Sequence, residues 1–63
     1  MIEDWELWAC AHHYVRVHSQ DAPIIAAMKA DELMVGGDIE GARTFRAIVR
    51  RINELLEPSG LPH

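Results

Sequence analysis

The residues that could do chemistry in this chain are a cysteine and several histidines near its start. Cys10 and His13 are three residues apart and Glu6 precedes Cys10 by one helical turn, so a helix would place all three on one face. Thiolate, imidazole and carboxylate groups are all zinc ligands. Zinc sites usually draw ligands from separate elements, however, and no later segment supplies a second pair. We therefore predict no metal and no cofactor, and interpret the cluster as a surface histidine beside a half-buried thiol.

A cysteine–histidine nucleophile pair is the other chemistry that these residue types suggest. Such a pair needs a base, an orienting group and an oxyanion site inside a pocket. A chain of 63 residues offers little material for a pocket of that kind. We therefore predict a non-enzymatic protein with no catalytic residues.

His18 is a further candidate, at the end of the predicted first helix. Its place on the apolar face would let its ring bond the last carbonyls of that helix or meet Asp21. A pH-sensitive role is the alternative, because histidine titrates near neutral pH. Nothing else in the sequence favours that role, so we predict a structural one.

The helices that would position these residues are best defined in the second half of the chain. Apolar side chains between residues 45 and 56 recur at helical spacing and fall within an arc of roughly 120°. Asp38 is a suitable N-cap and Pro58 ends the pattern. We predict a third helix at about 39–57 and a frayed tail at 58–63. The core-facing stripe comprises Phe45, Ile48, Val49, Ile52, Leu55 and Leu56.

A first helix is predicted at about 3–18, with acidic residues in its first turn, where the helix dipole favours negative charge. Trp5 points away from the apolar face of this helix, together with His12 and Arg16. The apolar face holds Leu7, Trp8, Ala11, Tyr14, Val15 and His18.

A second helix is predicted at about 22–35, capped by Asp21, with Pro23 in the first turn, where a missing N–H is harmless. Gly36 or Gly37 would end it in a left-handed conformation. This helix is apolar on two sides, and the sequence leaves open which side faces the core. One side holds Ile24, Ile25, Met28 and Val35, and the other holds Ala22, Ala26, Ala30, Leu33 and Met34.

The predicted fold is a single all-α domain over residues 1–63, built as a compact three-helix unit. The turns are short, which makes successive helices antiparallel neighbours. A chain of this length buries only about 60% of its unfolded surface. Three short helices cannot cover both apolar sides of the second helix, so we predict a dimer.

Charge and composition exclude several classes of protein. The net charge is −4, with six acids against two bases in residues 1–37, so an overall nucleic-acid footprint is absent. No apolar run approaches the roughly 20 residues that span a membrane. Cys10 is the only cysteine, which excludes an internal disulfide and fits a reducing compartment. The acidic start lacks the basic region of a signal peptide, so we predict a cytoplasmic protein with no membrane partner.

A protein interface is the main site that the sequence suggests. Tryptophan and arginine are over-represented at binding hot spots, and Trp5 lies away from the core face of its helix. The alternative is that Trp5 folds over the end of the core. The predicted interface comprises Trp5, His12, Arg16, Ile24, Ile25 and Met28.

A row of arginines on the third helix is the one basic feature of the sequence. Arg43, Arg46 and Arg50 share a face and could contact the phosphates of a nucleic acid. Acidic residues flank them, so the simpler interpretation is a solvated face whose intrahelical ion pairs contribute about a few tenths of a kcal/mol each.

Caps and core positions along nearly the whole chain also form an ordered pattern. Its residues are Trp8, Ala9, His18, Asp21, Ala22, Pro23, Ala27, Leu33, Gly37, Asp38, Gly41, Ile48, Arg51 and Ile52. This order resembles a family of small uncharacterised bacterial all-helical proteins. The chain departs from the family pattern at three positions: Phe45 stands where Trp is usual, Ser19 where Gly is usual, and Met28 where a polar residue is expected. The resemblance implies a helical fold and no known activity.

Taken together, these features favour a small helical interaction protein that forms a homodimer. An accessory or inhibitor protein would use the same apolar surface on a different protein. A regulator would contact nucleic acid through the face of Arg43, Arg46 and Arg50.

Overall fold

The computed structural model describes residues 2–57 of the chain. Its helices are α1 (Asp4–His18), α2 (Ala22–Val35) and α3 (Ile39–Leu56). Of the described residues 89% are helical and none lies in a strand, which confirms the predicted all-α class. The predicted tail at 58–63 lies outside the described residues.

The prediction of three separate helices needs a correction. The described helical residues form two uninterrupted runs, because α1 continues into α2 through a 3-10 turn at Ser19–Asp21. The Ser19 N–H donates to the Val15 carbonyl, and the Ala22 N–H donates to the Ser19 carbonyl. Helical hydrogen bonding therefore tightens at this connection without stopping, and the chain changes direction without a loop.

Ser19 accounts for the change of direction. Its φ is 52° and its ψ is −125°, a conformation outside the range that residues other than glycine favour, and it costs about 1–2 kcal/mol. Pro23 lies in the first turn of α2, where its missing N–H is harmless. Inside a longer continuous helix the same proline would cost about 3 kcal/mol. Ser19 is therefore strained, and Pro23 opposes the straight helix that would relieve the strain.

Asp21 occupies the N-cap position of α2, as predicted, but its side chain makes no cap hydrogen bond. A capping side chain needs extended backbone at the N-cap, so that its oxygen reaches an N–H group of the first turn. The φ and ψ of Asp21 are −83° and −7°, which are helical values. The 3-10 turn thus removes the cap that the sequence predicts.

Backbone N–H groups of the connection between α2 and α3 are hydrogen-bonded. Gly37, the second of the two glycines, takes the left-handed conformation with a φ of 89°. Its N–H donates to the Met34 carbonyl over 3.1 Å, and the Asp38 N–H donates to the Leu33 carbonyl over 2.8 Å, which is a Schellman motif. The Asp38 carboxylate then accepts from the Gly41 N–H over 2.9 Å, which confirms Asp38 as the N-cap of α3.

The core lies where α3 packs against the other two helices. α3 contacts both α1 and α2 extensively, whereas α1 and α2 contact each other much less. Most of the fully buried residues are alanines, which let the helices approach closely, and Ile48 and Ile52 are the largest side chains among them. The buried residues are Ala11, Ala22, Ala26, Ala30, Ala42, Ile48 and Ile52. The alanine side of α2 therefore faces the core, which answers the question that the sequence left open.

The inward face of α1 is the one that the sequence predicts. Ala11 is fully buried and the larger members of that face are partly buried. The Tyr14 ring meets the Phe45 ring of α3 edge to face, with centroids 6.1 Å apart. His18 packs its ring against Tyr14 at 5.6 Å, and no hydrogen bond joins it to Asp21 within the described residues. The structural role predicted for His18 is thus a ring contact rather than a polar one.

Candidate interaction surface

An apolar strip runs along the outside of α2, opposite the buried alanines. Ile24, Met28 and Val35 form this outer strip, and their exposed fractions are 61%, 53% and 89%. At 100° per residue these three positions lie about 120–160° from the buried Ala22. Large apolar side chains exposed in a row on one helix are typical of an interaction surface.

The outer strip has an exposed carboxylate on each flank. At 100° per residue Glu32 lies about 40° from Met28 on one side, and Asp31 lies about 20° from Ile24 on the other, beside the partly buried Ala27. Ile25, which the sequence groups with the predicted interface, is partly buried because it lies about 100° from Ile24, nearer the core. Ile25 therefore lies at the border between core and surface.

Trp5 lies on the outside of α1 with 69% of its side chain exposed. The alternative that Trp5 folds over the end of the core is therefore wrong. His12 and Arg16 are exposed on the same outer face, where the helical period places them. The structure thus leaves the predicted interface residues of α1 at the surface.

Arg51 joins the start of α1 to the end of α3, a contact that the sequence analysis did not predict. Its guanidinium donates to the Asp4 carboxylate over 2.7 Å and lies 5.2 Å from the centroid of the Trp8 ring. The side chain is 26% exposed, and its Nε is buried without a hydrogen-bond partner. The hydrogen bond to Asp4 raises the pKa of the Arg51 guanidinium, against the lowering effect of desolvation. We call Arg51, Asp4 and Trp8 the clasp.

The sequence does contain a signal for the clasp. Arg51 lies beside the apolar stripe of α3, about 60° from Ile48, where a long side chain can lay its methylene groups on apolar surface. Trp8 was predicted on the inner face of α1, and it is partly buried there. What the sequence could not show is that α1 crosses α3 near these two residues.

The arginine row of α3 is exposed, but part of its charge is paired. Arg43 lies 3.7 Å from the Glu40 carboxylate in an exposed ion pair. Arg46 and Arg50 are exposed on the outer side of α3. Glu54, one turn after Arg50, pairs instead with Arg51, over 3.7 Å. The face available to phosphate is therefore small and lies next to acidic residues.

The residues first considered for chemistry do not come together as a site. Cys10 is partly buried and packs against the core, whereas His12 and His13 are exposed. Within residues 2–57, no three histidine, cysteine or acidic side chains come close enough to share a metal ion. An open groove elsewhere on the surface contains neither cysteine nor histidine. Its lining residues are Ile2, Leu7, Glu40, Arg43, Thr44 and Ala47.

Comparisons with known proteins give no indication of function, so the outer strip of α2 is the main feature to interpret. No family model, curated protein or solved structure matches the chain. The resemblance to small bacterial helical proteins therefore stays a prediction. Among the described helices, none combines the length and the apolar character that crossing a membrane requires.

Proposed function

We propose that the chain is a small, non-enzymatic interaction protein of the cytoplasm that forms a homodimer through the outer strip of α2. One observation carries the proposal: Ile24, Met28 and Val35 are exposed, although the alanines on the opposite face of the same helix are buried. A helix that is apolar on two sides is normally covered on both. The chain covers one side, and a second copy would cover the other.

The free energy gained by burying the outer strip can be compared with the cost of association. Fully burying an Ile, Met or Val side chain contributes about 1.5–3 kcal/mol. A dimer with two-fold symmetry buries the outer strip of both copies, which doubles the number of side chains involved. That sum is comparable with the cost of about 4–15 kcal/mol for joining two proteins. We therefore expect a dimer whose dissociation can be reached by dilution.

An antiparallel pair of α2 helices suits the residues of this helix. Around a two-fold axis near its middle, Ile24 of one copy would meet Val35 of the other.

Trp5 would extend the interface beyond α2. Tryptophan buries a large area and is frequent at hot spots. His12 and Arg16 on the same outer face of α1 would form the polar edge of that region.

The dilution behaviour of one variant tests the proposal. We expect light scattering to give a mass near twice 7.1 kDa at high concentration and 7.1 kDa at low concentration. Ile24→Asp should keep the mass at the lower value throughout, because it places a charge in the outer strip. Ile24 is a better position than Ile25, since Ile24 is exposed and Ile25 is partly buried.

The matched control is Asn53→Asp, which adds the same charge at an exposed position of α3. It should dimerise like the unchanged chain. If Ile24→Asp and Asn53→Asp gave equal masses at every concentration, the outer strip would not be the interface. Circular dichroism of both variants at low concentration checks that each is folded.

A monomer at every concentration would favour the second candidate, an accessory or inhibitor protein that uses the outer strip on a different protein. The observation in favour of this candidate is the same exposed strip. A regulator contacting nucleic acid through Arg43, Arg46 and Arg50 is the third candidate. It predicts binding to a labelled duplex that weakens steeply with added salt, and no binding at low salt would remove it.

A further inference from the structure

α1 is attached to the rest of the chain mainly through α3. The clasp joins Asp4 and Trp8 of α1 to Arg51 of α3, with the Arg51–Asp4 hydrogen bond at 2.7 Å. The Tyr14 ring meets the Phe45 ring at 6.1 Å. Contacts between α1 and α2 are few by comparison. The position of α1 against α3 is therefore set by side chains that a second copy of the chain also offers.

The connection that returns α1 to its own α3 depends on one strained residue. The chain is helical from Asp4 to Val35 apart from the change of direction at Ser19, whose φ is 52°. Rotation of Ser19 to helical values would join α1 and α2 into one long helix. In that state α1 would point away from its own α3, and the part of α3 that α1 covers would be exposed.

Pro23 lies four residues after Ser19, which is the position where a proline disturbs a straight helix most directly. In a continuous helix the Pro23 ring would crowd the Ser19 carbonyl, and that carbonyl would lose its hydrogen-bond donor. In the bent form, the Ser19 carbonyl accepts from the Ala22 N–H instead. The strain at Ser19 thus favours straightening, whereas Pro23 opposes it.

We propose that Ser19–Asp21 is a hinge through which two copies of this chain exchange α1, and that Pro23 limits the exchange. In the exchanged dimer, each α1 packs on the α3 of the other copy and remakes the clasp there. Because the contacts between α1 and α3 are the same in both forms, the hinge and the cost of joining two chains decide between them. Short hinges under strain favour this kind of exchange.

This inference goes beyond the proposed function, because it does not use the outer strip of α2. A dimer formed on the outer strip keeps every α1 on its own α3 and separates on dilution. An exchanged dimer separates only when α1 leaves α3, so it persists after dilution. The two associations therefore differ in their kinetics as well as in their contacts.

Complementary charge reversals in the clasp test the exchange. Asp4→Arg places two arginines together in the closed chain, and Arg51→Asp places two aspartates together. When the two variants are unfolded together and refolded, an exchanged heterodimer restores both ion pairs, because each α1 then meets the matching α3. Native mass spectrometry identifies the heterodimer, since the two variants differ in mass.

We expect the refolded mixture to contain more heterodimer than random pairing gives, with a Tm several degrees above that of either variant alone. Dimers formed on the outer strip would pair at random and leave every clasp mismatched, so they would show no gain in Tm. The result does not require the single variants to fold, because a mixture that folds while each variant alone does not is itself the exchanged form.

The hinge is tested by repeating the experiment with Pro23→Ala in both variants. This change should raise the heterodimer fraction, and Ser19→Gly should lower it, because glycine adopts the bent conformation without strain. Random pairing with no gain in Tm, both with and without Pro23→Ala, would overturn the exchange. Equal heterodimer fractions with and without Pro23→Ala would overturn the role of Pro23.

Discussion

The two connections between helices contain similar residues but differ in helix capping. Each places an aspartate directly before a helix, Asp21 before α2 and Asp38 before α3. Asp38 caps its helix over 2.9 Å and follows a glycine at positive φ, whereas Asp21 makes no cap bond and follows a turn that begins with a serine at positive φ.

The difference indicates which interactions stabilise each bend. The bend at Gly36–Asp38 is favoured by its own residues, because glycine tolerates the backbone and the cap completes it. The bend at Ser19–Asp21 is favoured by the packing of α1 on α3 and by Pro23, against the preference of Ser19 itself. Four substitutions test this comparison in thermal or urea unfolding at a concentration where the chain is monomeric.

Gly37→Ala should have the largest effect. The φ of Gly37 is 89°, and a Cβ there costs about 1–2 kcal/mol. For a chain of this size, each kcal/mol lowers Tm by roughly 4–8 °C. The matched control is Gly36→Ala, because Gly36 has a φ of −77° and a Cβ there would approach the Glu32 carbonyl oxygen no closer than 3.4 Å. Equal Tm values for the two variants would contradict this account of the bend.

Asp38→Ala should follow, with a loss of about 1 kcal/mol in the free energy of unfolding. The side chain caps α3 by accepting from the Gly41 N–H, and alanine leaves that donor to water. Asp38→Asn is the control, since asparagine caps about as well as aspartate. An asparagine variant as unstable as the alanine variant would show that the charge of Asp38, not its cap bond, stabilises α3.

Ser19→Gly should stabilise the chain by about 0.5 kcal/mol. Removing the Cβ relieves the strain at positive φ, and the greater freedom of glycine in the unfolded chain offsets part of the gain. Ser19→Ala keeps a Cβ, so it should give no such gain. A lower Tm for Ser19→Gly than for Ser19→Ala would mean that the bend is not strained.

Asp21→Ala should have the smallest effect, within about 0.5 kcal/mol, because the Asp21 side chain makes no cap bond. The comparison with Asp38→Ala is direct, since both replace an aspartate at an N-cap position. A loss at Asp21 as large as the loss at Asp38 would remove the difference between the two connections. Circular dichroism at increasing urea measures both variants under the same conditions.

The sequence predicted correctly those features of α3 that depend on residues close together in the chain. The stripe of α3 is buried or partly buried as predicted, and Asp38 caps that helix, because spacing and capping act within one or two turns. The cap predicted for Asp21 failed because the residues before it form a 3-10 turn, which its own residue type does not reveal.

The candidate surface was predicted only in part. The sequence marks both sides of α2 as apolar, and its hydrophobic pattern gives neither side priority. The structure exposes Ile24 and Met28 and buries the alanines. Small side chains allow α2 and α3 to approach closely, so the alanine side gains more contacts against α3 than the bulkier side would.

The sequence by itself determined the helical class, the ends of α2 and α3, and the surplus of apolar side chains, because each follows from interactions between residues close along the chain. Only the tertiary structure decided which side of α2 is covered, how Arg51 meets Asp4 and Trp8, and why Ser19 holds a strained backbone. These features depend on the crossing of α1, α2 and α3, where residues far apart in the chain compete for the same contacts.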